Sequence, residues 1–135
     1  MKISINQPAF LPWINYFKRI SEVDVFVILD DVQYEKNSFI NRAQIKNKDN
    51  QILWLTIPLK KHKFHSEENL IKNISISSDK NWKKKQVKTI IQNFSNQKNF
   101  YLVKDCINKI YEYDDTNLSN FLTHQLKILI KILKI

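Results

Sequence analysis

The sequence predicts an α/β fold: a partly parallel sheet carrying a β-hairpin in the first half, helices packed on it, and a helical carboxy-terminal half. Three observations predict it. A strand, a helix and a second strand follow one another between Lys2 and Leu29. A polar turn, Asn47-Lys48-Asp49-Asn50, separates two apolar-rich runs. Three segments with apolar residues at helical spacing follow Asp79. An α+β arrangement, with the helices segregated to one face, is the other architecture this order allows.

Lys2 to Asn6 alternates as a short strand, and Gln7-Pro8 ends it because proline cannot donate to a ladder. Pro12 stands where a helix would begin, and Trp13, Phe17 and Ile20 follow at helical spacing. Val25 to Leu29 is a continuous β-branched and aromatic run, the pattern of a strand buried on both faces, and it ends in Asp30-Asp31. Strand, helix and strand make a βαβ unit with a parallel pair. Asn41 to Lys46 and Gln51 to Leu59 read as a hairpin, its turn using Asn and Asp for left-handed conformations. Lys60 to Asn69 reads as a hydrophilic loop and Ile71 to Ser77 as a further strand. Asp79 caps a helix from near Asn81, with Trp82, Val87, Ile90, Ile91 and Phe94 on one face. A second helix runs from Asn99 to Tyr113, and Asp114-Asp115-Thr116 caps a third that continues to Ile135.

Composition narrows the function classes. The 135 residues suit one domain over positions 1–135 and, at 43% hydrophobic, can fill a core. There is no glycine, so both glycine-rich phosphate loops are excluded, because their backbones approach the pyrophosphate only where no Cβ intervenes. The single Cys106 excludes a disulfide framework and a cysteine-based zinc cluster. The net charge of +9 invites a nucleic-acid reading, but only 2 of the 22 basic residues are arginine, which supplies most bidentate contacts to bases and phosphates. Nucleic-acid binding is therefore expected to be weak, salt-dependent and indifferent to sequence. Met1 to Ile20 lacks the continuous apolar core and cleavage site of a signal peptide, and no apolar run is long enough to span a bilayer. The expected setting is cytoplasmic.

Three clusters carry candidate chemistry, and all fall at the ends of predicted strands, where ligands of open α/β sheets bind. Gln7-Pro8-Ala9-Phe10-Leu11-Pro12-Trp13 joins rigid prolines, aromatics and an amide ahead of a helix whose free N–H groups suit an anion. Its plain alternative is a cover for the sheet end. In Asp30-Asp31-Val32-Gln33-Tyr34 the carboxylates alternate faces; one could act as a base or bind a divalent ion, and a turn cap is the alternative. In Asn41-Arg42 the scarce guanidinium makes a fork for phosphate or carboxylate, against a surface ion pair. His62 and His65 read as solvated, His124 as unpartnered, and Cys106 as core.

The blocks INQPAFLPWINYFKRI, DVFVILDDVQYEKNSFINRAQI and LWLTIPL, and more weakly NWKKKQVKTIIQNF, resemble the WbqC-like protein family of bacterial surface-polysaccharide gene clusters. The family pattern falls on Gln7, Pro8, Pro12, Tyr16, Asp24, Asp30, Asp31, Gln33, Asn41 and Arg42. Asn15, Gln86 and Gln97-Lys98 depart from it, and relatives usually continue further, so the resemblance implies a domain lacking their carboxy-terminal region. It also implies a protein of O-antigen or related lipopolysaccharide synthesis, with a group transfer as the reaction class.

The expected function is transfer of an acyl, aminoacyl or similar group, with a nucleotide-activated amino sugar as substrate. Arg42 and the helix start near Trp13 would hold phosphate, and Asp30 or Asp31 would serve as base or ligand for Mg²⁺, the one cofactor these residues suggest. Gln7 and Asn41 would orient the substrate, with Pro8, Pro12, Tyr16 and Gln33 beside them. The rivals are a basic module for nucleic acid or another polyanion and a shortened, inactive remnant. Gln7, Pro12, Asp30 or Asp31, Asn41 and Arg42 are expected in one cleft. The last helix is apolar around most of its circumference apart from a stripe of Lys127, Lys131 and Lys134, so self-association through it is also expected.

Overall fold

The computed structural model describes residues 1–63 and 65–135. Strand β1 (Ile3–Asn6), helix α1 (Ile14–Ser21) and strand β2 (Val25–Ile28) form the βαβ unit, the strands parallel with Ile3 opposite Val25 and Asn6 opposite Ile28. Strands β3 (Arg42–Lys46) and β4 (Ile52–Thr56) form the antiparallel hairpin. Its turn is built by Asn47, whose Oδ1 accepts from the backbone of Asp49 and Gln51 at 3.0 and 2.8 Å. Asn50 completes it at a φ of 64°, the conformation glycine usually takes. The fold is mixed α/β with a helical second half, as the sequence predicts.

The two strand pairs remain separate two-stranded sheets. This corrects the expectation that β2 is buried on both faces. Phe26 and Ile28 turn inward to α1 and α4, packing with Tyr16, Phe17 and Leu126, but Val25 and Val27 are exposed together with their neighbours Ile3 and Ile5. No other named strand pairs with β1 or β2 among the described residues, so the apolar run is covered on one side only.

A second correction concerns Ile71 to Ser77. The chain makes two short 3-10 turns, Glu67–Asn69 and Ile71–Asn73, then runs extended with single bridges from Ser75 to Asn117 and from Ile76 to Leu59. Ile71, Ile74 and Ile76 are all buried, so a spacing of three followed by two serves one core without a strand.

Helices α2 (Asn81–Phe94), α3 (Phe100–Glu112) and α4 (Leu118–Leu133) enclose that core. Asp79 Oδ1 accepts from Asn81 N at 2.9 Å, as expected at the start of α2. At α4 the capping side chain is Asn117, which accepts from Asn120 N, while Asp115 supports Asn117 from below. Trp82, Tyr111 and Phe121 meet at centroid distances of 5.8 to 6.4 Å between the three helices. His124 has a partner after all, stacking on Tyr113 at 4.0 Å. Cys106 is buried as expected, and burial raises its thiol pKa.

Helix α4 uses its wide apolar face within the chain. Phe121 and Leu122 join the main core and Leu126 joins the α1–β2 cluster, with Leu129 touching both. Only its end, Ile132, Leu133 and Ile135, stays exposed, so most of the surface expected to drive self-association is already covered.

Candidate ligand site between two clefts

The site grows from the loop between β1 and α1. Phe10 is buried, and its N–H donates to the Phe39 carbonyl at 3.1 Å, tying this loop to the segment ahead of β3. Leu11 holds a φ of 41°, a left-handed conformation that costs a side-chain-bearing residue roughly 1–2 kcal/mol. Gln125 of α4, fully buried, keeps it there: its Oε1 accepts from Leu11 N at 3.0 Å and its Nε2 donates to the Ala9 carbonyl at 3.1 Å. Pro12 precedes the N-cap Trp13, so α1 begins two residues later than the proline suggests.

The turn projects Trp13 outward, where it starts a ridge of aromatic rings. Trp13 lies 6.1 Å from Phe39, and Phe39 lies 5.8 Å from Trp54 of β4. The three are 53%, 48% and 43% exposed, an unusual exposure for rings of this size in mutual contact. The Arg42 guanidinium sits 4.2 Å over the Trp54 ring, and its Nη2 donates to the Asn37 carbonyl.

A cleft opens on either side of the segment carrying Phe39. The first, about 540 Å³, is lined by Arg42, Lys36, Lys60, Lys61 and His62, with Tyr34 and Asn41, and no carboxylate among the described residues lines it. Tyr34 donates to Asn41 Oδ1 at 2.8 Å and Asn41 Nδ2 donates to the Ile57 carbonyl at 2.9 Å, so Asn41 braces the wall. Burial raises the Tyr34 pKa, and the nearby Arg42 charge pulls it partly back. The second cleft, about 430 Å³, is lined by Gln7, Pro8, Trp13, Tyr16, Arg19 and Phe39 among others. Arg19 Nη1 donates to Asn6 Oδ1 at 3.1 Å, and the Gln7 side chain makes no hydrogen bond among the described residues.

Tyr16 fixes the floor of the second cleft. Its hydroxyl donates to the Gln7 carbonyl at 2.9 Å, and burial pushes its pKa up to about 12 from 10. A raised folded-state pKa means that its stabilisation is complete below pH 10 and is lost as pH rises through about 12. Tyr16→Phe should therefore lose about 1 kcal/mol at neutral pH. Across that alkaline window it should lose less additional stability than the wild type; urea melts at pH 8 and 11.5 that decline equally would refute this.

The residues expected in one cleft are thus divided. Gln7, Pro8, Trp13 and Tyr16 gather in one, Asn41 and Arg42 in its neighbour, and Pro12 lines neither. Asp30, Asp31 and Gln33 also stand outside both. The cause is backbone pairing: Lys72 N donates to the Asp30 carbonyl, Ile71 N to Val32 and Tyr34 N to Asn69, drawing this segment onto the 3-10 turns. The Asp30 carboxylate accepts from Ser119 Oγ, and Gln33 Oε1 accepts from Asn69 Nδ2 at 2.6 Å. Asp31 is exposed and accepts no hydrogen bond among the described residues.

Sequence reasoning missed Arg19, Phe39, Trp54, Lys36, Lys60 and Lys61. Arg19 had a signal, since it is one of only two arginines. His62, expected in solvent, lines the first cleft against Tyr34 at a ring distance of 5.6 Å. Among the described residues, no cluster of three or more His, Cys, Asp or Glu side chains is placed to hold a metal ion.

The chain is a mixed α/β protein whose loops at the strand ends frame two polar, aromatic-edged clefts. The model of the WbqC-like protein family matches residues 7–135, nearly the whole chain, and the chain belongs to that family. It is 35% identical over 122 residues to the uncharacterized protein Rv1507c of Mycobacterium tuberculosis, an alignment covering 87% of this chain and 50% of that relative. The chain thus spans about half the length of the curated relative it matches. No solved structure matches it. No helix among the described residues is long and apolar enough to cross a membrane.

Proposed function

We propose that this member of the WbqC-like family binds a nucleotide-activated amino sugar and takes part in acyl, aminoacyl or related group transfer during surface-glycan synthesis of the O-antigen type. The observation that carries the reading is the first cleft: four cations, Arg42, Lys36, Lys60 and Lys61, converge with no carboxylate among its lining residues, directly beside exposed aromatic rings. Such a cleft matches a diphosphate joined to a ring. Arg42 offers a planar fork to phosphate, the lysines add point charge, and Trp54 with Phe39 supplies a face for a base or sugar. Because Asp30 is held by Ser119, no proton is routed through it; Asp31 is the free carboxylate of the pair.

The test is titration of UDP-N-acetylglucosamine into the protein, with and without Mg²⁺, followed by thermal unfolding. At about 100 times its Kd the ligand should stabilise the fold by about 2.7 kcal/mol. Arg42→Gln removes a charge-assisted contact worth about 1.5–3 kcal/mol, so affinity should fall roughly ten- to a hundredfold with the unliganded unfolding midpoint little changed. Absence of binding, or unchanged affinity in Arg42→Gln, would overturn the reading. Tighter binding of inorganic polyphosphate than of the nucleotide sugar would favour a polyanion module instead.

A further inference from the structure

The chain has two arginines, and the structure places one in each cleft, on opposite sides of the segment that carries Phe39. Neither is paired with a carboxylate: the ion pairs among the described residues are Lys18–Glu22, Lys80–Asp114 and Lys109–Asp105. Among the described residues Arg19 has one side-chain partner, the neutral amide of Asn6, and no acidic residue lines its cleft. Beside it the Gln7 amide is unpartnered, and Trp13 and Phe39 form an apolar wall.

The two clefts differ in charge. The first gathers four cations, which suits the multiple charges of a diphosphate. The second holds one cation, Arg19, flanked by amides. One guanidinium with neutral donors matches a single negative charge of planar shape, and a carboxylate is such a group, accepting two parallel N–H bonds from the fork. An apolar wall next to that fork is the surroundings a pyranose ring requires, with its C–H face on the aromatic rings and its polar edge toward amides.

We infer that the second cleft is a carboxylate-recognising sugar subsite, and that the sugar of the nucleotide-activated ligand carries a carboxylate in addition to its amino group. This deepens the reading given above and rests on it: the phosphates lie on Arg42, the sugar crosses the Phe39 ridge, and its carboxylate meets Arg19 and Gln7. Arg19 therefore sets specificity for the acid, while Arg42 sets affinity for any nucleotide sugar.

UDP-glucose and UDP-glucuronic acid make the decisive pair, because they differ only in a hydroxymethyl against a carboxylate at one carbon. Wild-type protein should bind the acid at least about tenfold more tightly, the equivalent of one charge-assisted pair. Arg19→Gln should bring the two affinities within about twofold of each other, chiefly by weakening binding of the acid. Lys18→Gln removes a charge one residue away but outside the cleft, so it should keep the full preference and show that the effect is local. Arg42→Gln should weaken both ligands alike and preserve their ratio. Equal wild-type affinities, or a preference that survives Arg19→Gln or is lost in Lys18→Gln, would overturn the carboxylate assignment while the nucleotide-sugar reading stands. A preference abolished by Arg19→Gln with affinity untouched by Arg42→Gln would keep the carboxylate site and overturn the phosphate grip. Binding of neither ligand would overturn both.

Discussion

Gln125→Leu will destabilise the protein by about 3–4 kcal/mol, although leucine nearly matches glutamine in size. Gln125 is fully buried, and its amide is the described side-chain partner of both Leu11 N and the Ala9 carbonyl. Leucine leaves a donor and an acceptor of the backbone without partners, each costing about 1–3 kcal/mol when buried. It also removes what holds Leu11 at a φ of 41°. The β1–α1 loop should then relax and carry Trp13 out of line with Phe39, so the variant should lose ligand affinity as well as stability. Gln125→Glu can keep both contacts only as the neutral acid, since a buried carboxylate would face the Ala9 carbonyl unpaired, so its deficit should grow as the pH rises. Urea unfolding with an unchanged slope would report the stability term; a Leu variant within 1 kcal/mol of wild type would show that α4 does not anchor the loop.

Phe121→Ala should cost about 3–5 kcal/mol, a large share of the 5–15 kcal/mol that holds a domain together. Its ring is fully buried, edge-on to Trp82 at 5.8 Å and to Tyr111 at 6.4 Å, and the Lys83 ammonium lies 5.5 Å from its centroid. These partners come from two helices, α2 and α3, and face a third, α4, that carries the ring, so the cavity cannot close by moving one of them. Phe121→Leu keeps most of the volume and should cost less than about half as much. Equal costs for the two substitutions would mean that the helices do not interlock at this ring.

The βαβ unit, the hairpin and the three later helices were legible because each is announced locally. Alternation ends at Gln7-Pro8, Asn47 and Asn50 carry the turn, Asp79 marks a helix start, and apolar spacing within α2 and α3 names their inner faces. Local pattern misleads where alternation covers only part of a segment. Ile74 and Ile76 alternate as a strand would, but Ile71, three residues earlier, reaches the same core only because the chain makes a 3-10 turn there.

For the candidate site, the sequence by itself determined which segments hold unusual residues: Gln7 to Trp13, Asp30 to Tyr34, and Asn41-Arg42, together with membership of the family. Tertiary structure alone decided how they are grouped. Asp30 is bound to Ser119 and Leu11 to Gln125 across 89 and 114 residues of sequence. Lys60, Lys61 and Trp54 reach Arg42 only because the hairpin folds back beside the loop ahead of it. The exposure of Val25 and Val27 likewise depends on what else packs on the sheet. Periodicity and capping act over one or two turns of chain, so they specify an element and its inner face. The partner that a buried amide or carboxylate finds is chosen by long-range packing, where distant groups must be satisfied together, and no local stretch of sequence records that choice.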